Sequence, residues 1–102
     1  MIRLIADSGS TKTAWALVEE KPGFPKVIRT AQTQGLNPLY VSADEIAAAL
    51  QSAMTQMGGE RPDELSFYGS GCSGQRIGMV EQALRQKLTP MTRVTVQSDL
   101  VG

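Results

Sequence analysis

Apolar positions along the chain switch between the two-residue period of strands and the three-to-four spacing of helices. Ile2 to Ala6 is a short apolar run that meets Asp7 and then Ser8-Gly9-Ser10, which reads as a buried strand ending in a turn. From Thr13 to Glu19, Ala14, Ala16 and Val18 alternate with Thr13, Trp15 and Leu17, a pattern for a strand covered on both faces. The two make a hairpin through Ser8 to Lys12. After the turn signal Pro22-Gly23, Lys26 to Thr33 reads as a third strand of edge character. Gly35 to Tyr40 is a loop by its Gly and Pro content. Ser42 and Glu45 stand three apart as a capping box, and the stripe Ile46, Leu50, Ala53, Met54, Met57 marks a helix that Gly58-Gly59 stops. Leu65 to Tyr68 is a short strand running into Gly69-Ser70-Gly71-Cys72-Ser73-Gly74. Ile77, Val80, Leu84 and Leu88 mark a second helix closed by Pro90, and Val94 and Val96 a last strand. The order is β-β-β-α-β-α-β, an α/β fold on a five-stranded mixed sheet.

At 102 residues the chain has room for one domain, residues 1–102. Ten acidic side chains balance ten basic ones, which gives no electrostatic case for nucleic acid or an acidic membrane surface. Histidine is absent and Cys72 is the only cysteine, so Ser-His pairs, Cys-His pairs, histidine metal sites and an internal disulfide are excluded from this chain. Without an activating histidine or adjacent cation, Cys72 reads as a small buried side chain, and Trp15, Met54 and Met57 read as core. No window approaches the roughly 20 apolar residues of a membrane span, and the expected location is the cytoplasm.

The stretch richest in chemistry is Asp7-Ser8-Gly9-Ser10-Thr11-Lys12-Thr13. A carboxylate at a strand end is followed by small residues whose backbone can approach an anion, and Thr11 and Lys12 add a hydroxyl and a cation. Asp7 is suited to hold Mg²⁺ through its water shell beside nucleotide phosphates. A Walker A loop is ruled out, because that motif needs glycine where Ala6 and Thr11 stand. A hairpin turn without a ligand is the plainer alternative.

This segment resembles the first phosphate motif of the actin, hexokinase and Hsp70 superfamily, an Asp at the end of the first strand followed by a glycine-rich turn and a Thr. The likeness extends over essentially all 102 residues. It is strongest to N-acetylglucosamine kinases and to the ATPase family that includes activators of 2-hydroxyacyl-CoA dehydratases. Gly35-Leu36-Asn37-Pro38 matches the kinases' segment that offers an Asn to sugar hydroxyls, and Ser98-Asp99 matches the Asp they place beyond the fifth strand as base. Ser8 and Ser10 depart from the commonest form, which has Gly at both positions.

The resemblance implies a ribonuclease H-like, actin-like ATPase lobe and phosphoryl transfer from ATP·Mg²⁺ to a hydroxyl of an amino sugar or hexose. It implies Asp7, Gly9, Ser10, Thr11 and Lys12 for nucleotide and metal, Asn37, Gly71 and Asp99 for the sugar, and Asp99 as base. Each has a local alternative: Asp99 as a helix N-cap, Asn37 as a turn residue before Pro38, and Gly69 to Gly74 as an abrupt reversal. The expected partners are a sugar and a second, C-terminal lobe, the chain then being part of a protein about three times as long and inactive alone; homo-oligomers stay open. An activator ATPase and a non-catalytic binding remnant remain alternatives, with Asn37 arguing for the kinase.

Overall fold

The computed structural model describes residues 1–9, 11–21, 24–59, 61–69 and 74–98. The elements are β1 (Ile2–Ser8), β2 (Lys12–Lys21), β3 (Phe24–Gln34), α1 (Ala43–Gln56), β4 (Glu64–Gly69), α2 (Gln75–Arg85) and β5 (Arg93–Ser98). They form one five-stranded sheet of order β3-β2-β1-β4-β5. The β1–β2 and β2–β3 pairs are antiparallel, whereas β1–β4 and β4–β5 are parallel, so the sheet is mixed as its sequence pattern predicts. β3 lies at the edge, with Pro25, Lys26 and Arg29 exposed, residues that discourage further pairing.

The sheet buries one face under both helices, and its rows can be read across the strands. Leu17, Leu4, Leu65 and Val94 form one row by register, and Trp15, Ala6, Phe67 and Val96 the next. All eight belong to a single core cluster with Ile46, Leu50 and Ala53 of α1 and Val80, Ala83 and Leu84 of α2. Ala6 sits between the two large aromatics, and its single methyl lets the Trp15 and Phe67 rings meet above it, centroids 6.2 Å apart and 61° between planes. Trp15 is fully buried, so its indole N–H needs an acceptor, and it donates to Thr33 Oγ1 at 2.9 Å.

Ser42 caps α1 as its spacing predicts: its Oγ accepts from the Glu45 N–H while the Glu45 carboxylate accepts from the Ser42 N–H. Beyond the helix, Gly58 and Gly59 adopt positive φ of 95° and 75°, conformations that glycine takes without strain. α2 ends at Arg85, earlier than its apolar stripe predicts, and Leu88 instead packs on the core from the turn that follows. No helix among the described residues is long and apolar enough to cross a membrane.

Because Ala6 sets the gap in which the rings meet, Ala6→Leu should cost about 1–3 kcal/mol through overpacking. Urea denaturation followed by Trp15 fluorescence reads both the loss of stability and the changed ring environment.

Candidate functional site

The third row across the sheet changes character. Where the first two rows are apolar, register brings Thr33, Thr13, Ser8, Gly69 and Ser98 side by side at the end where β1, β4 and β5 finish. Ser8 continues the buried alternation of Leu4 and Ala6, so its hydroxyl enters the protein while Asp7 and Gly9 on either side stay with the turn. A buried hydroxyl must be paired, and this one is paired twice. Its Oγ lies 2.8 Å from Thr13 Oγ1 and accepts the Leu36 N–H at 3.0 Å. Thr13 Oγ1 in turn donates to the Gln34 carbonyl at 2.9 Å. The loop after β3 is thereby fastened to the turn after β1.

That turn closes through the Gly9 N–H to the Lys12 carbonyl at 2.9 Å. Asp7, Thr11 and Lys12 are all exposed at it. A Cβ added at Gly9 would lie 3.6 Å from the Lys12 oxygen, ordinary contact, and Gly9 has no positive φ. Closing the hairpin does not itself demand glycine there.

Asn37, one residue past the fastened Leu36, is nearly buried at 9% exposure. Its Oδ1 accepts the Leu39 N–H at 2.9 Å, and its carbonyl accepts from Tyr40 and Val41 at 2.9 and 3.1 Å. The turn-residue reading of Asn37 is therefore correct as far as its oxygens go. The group it can still direct at a ligand is the side-chain amide nitrogen, a donor.

The structure thus brings Asp7, Gly9, Thr11, Lys12 and Asn37 to one end of the sheet, beside the ends of β4 and β5. Ser10, Gly71 and Asp99 lie outside the described residues, as does Cys72. No group of three carboxylate, histidine or cysteine side chains able to hold a metal occurs among the described residues. The single exposed carboxylate of Asp7 suits magnesium, which keeps several waters and takes few protein ligands. Sequence reasoning missed Ser8 and Thr13 as a bonded pair, although the alternation Leu4-Ala6-Ser8 already carries a hydroxyl onto the buried face.

No family model and no curated protein sequence matches the chain. Among solved structures, a candidate N-acetylglucosamine kinase from Porphyromonas gingivalis is similar at a TM-score of 0.77 and 37% identity, covering 94% of this chain and 34% of that one. The resemblance to N-acetylglucosamine kinases in the actin-like ATPase superfamily is therefore one of sequence as well as fold, and the chain spans about a third of that protein's length. Thermus thermophilus RuvC matches at TM-score 0.59 and 17% identity over 96% of this chain and 62% of its own. An Aquifex aeolicus PPX-GPPA enzyme matches at 0.52 and 12% over 94% and 36%. These two establish the fold alone, which is ribonuclease H-like, and its sugar kinase-like version is the one this chain shares with the P. gingivalis protein.

Replacing Asn37 by Ala removes the bond to Leu39 and should cost about 1 kcal/mol. Faster hydrogen exchange at the Leu39 amide, measured without any ligand, checks this structural share of its role.

Proposed function

We propose that this chain supplies the phosphate turn and the sugar-orienting loop of an ATP-dependent sugar kinase acting on N-acetylglucosamine or a related amino sugar or hexose. The observation that carries the reading is the bond from Leu36 N–H to Ser8 Oγ, because it sets the Asn37 loop beside the Asp7 to Lys12 turn. In open α/β sheets ligands bind at the carboxyl ends of the parallel strands, the end at which these segments meet. The P. gingivalis relative supports the kinase over the activator ATPase. Without a Cβ, Gly9 leaves its backbone open to the close approach of an anion.

In this proposal the N–H groups and side chains of Gly9, Ser10, Thr11 and Lys12 cradle the phosphates, and Asp7 holds Mg²⁺ through water. Bound Mg²⁺ supplies charge neutralisation at the transferring phosphoryl group. Asn37 donates its amide to a sugar hydroxyl, and Gly69 to Gly74 lets the backbone approach the sugar, with Gly71 in contact. Asp99, next after Ser98 at the end of β5, accepts the proton of the attacking hydroxyl. As the sugar oxygen bonds to the γ-phosphorus, the bond from that phosphorus to the bridging oxygen breaks and ADP leaves. Adenosine contacts come from a second lobe.

Asp99→Asn in the full-length protein should lower phosphorylation by about 10² to 10⁴ while sugar affinity holds, since the amide keeps the shape and loses the base. Near-normal turnover would leave Asp99 as a helix cap and no more. Residues 1–102 alone should give no measurable phosphorylation in a coupled ADP-release assay, because one phosphate turn provides only part of the contacts that build affinity.

A further inference from the structure

Nothing in the proposed chemistry uses the hydroxyls of Ser8 and Thr13, yet both side chains are fully buried, at 1% and 0% exposure. Their bonds have a single possible sense. Thr13 has one hydroxyl proton and gives it to the Gln34 carbonyl, so in the 2.8 Å contact Ser8 is the donor and Thr13 the acceptor. Ser8 Oγ then accepts from Leu36 N–H. The chain of bonds runs from Leu36 through Ser8 and Thr13 back to Gln34, two residues earlier, and closes a ring around Gly35. Gln34 is held further by Thr33 Oγ1, which donates to the same carbonyl at 3.2 Å and accepts from Trp15 in the core.

We infer that Ser8 is a positioning residue that couples the phosphate turn to the Asn37 loop. The inference rests on the reading of those two segments as nucleotide and sugar contacts. Ser8 is covalently next to Asp7 and Gly9, and its oxygen is bonded one residue before Asn37. A shift of the turn on binding phosphate must carry Oγ with it, and at this burial no water is at hand to replace the bond to Leu36. The Asn37 loop therefore follows the turn, and occupancy of either segment sets the geometry of the other. A glycine at position 8 would keep the fold of the turn and lose the link.

Calorimetric titration of the full-length protein tests this, with N-acetylglucosamine titrated in the presence and absence of a non-hydrolysable ATP analogue and Mg²⁺. The nucleotide should tighten sugar binding by at least about fivefold, and the sugar should tighten nucleotide binding by the same factor. In Ser8→Ala the factor should fall to about one while each ligand still binds alone; in Thr13→Val, which keeps the Ser8–Leu36 bond but loses those to Ser8 and Gln34, it should fall less, and Thr13→Ser should keep it whole. If Ser8→Ala fails to fold, Ser8→Gly, which also lacks the hydroxyl, gives the same reading. A factor unchanged in Ser8→Ala or Ser8→Gly, or absent from the unsubstituted protein although it binds both ligands, overturns the coupling and leaves the kinase reading intact. Binding of neither ligand by the unsubstituted protein overturns both.

Discussion

The register of β1 is the constraint on which the rest depends. This strand is paired on both sides, antiparallel to β2 and parallel to β4, and its residues alternate between the helix-covered face and the other face. A slip of one residue would turn every side chain over. Leu4 and Ala6 would leave the core, Ser8 would lose Thr13 and Leu36, and the Asp7 carboxylate would enter an apolar layer, where an unpaired charge is very costly. The hydration of one carboxylate and the packing of the Trp15–Phe67 pair thus select the same register. The core that stabilises the sheet also aims its chemistry.

The three rows crossing the sheet show how packing grades into function. Two apolar rows hold the helices, and the third replaces bulk by hydroxyls and glycine where the parallel strands end. Large residues there would fill the space above the turn. Small polar ones hold the loop by directed bonds instead, and these fix position more narrowly than apolar contact does.

The architecture was legible because each element carried its own local signal. The alternation in β2, the Ser42–Glu45 capping box and the helical stripes required no knowledge of tertiary contacts, and the edge strand was legible from Lys26 to Thr33 following the Pro22-Gly23 turn signal. Leu88 was misplaced for a physical reason: its spacing continues the stripe of α2, but packing on the core can be met from the turn as well as from another helical turn. At the site, residue types announced the Asp7 to Lys12 turn and Asn37. The Ser8–Thr13–Leu36 connection was not announced, because it joins residues 28 positions apart and its partner at Leu36 is a backbone group that no side chain reveals.

The exposure of the rim bears on how much of a site it can be. Asp7, Thr11 and Lys12 all stand in water, where charged contacts are screened and contribute little. Phosphoryl transfer needs the same groups in a dry, preorganised setting in which their fields act on the developing charge. The kinase reading therefore asks for further protein surface to close over this rim, and the P. gingivalis protein, of which this chain covers 34%, has chain enough to provide it. On that view the buried hydroxyl pair does what the exposed turn cannot, holding the sugar loop and the phosphate turn in fixed relation before the water is excluded.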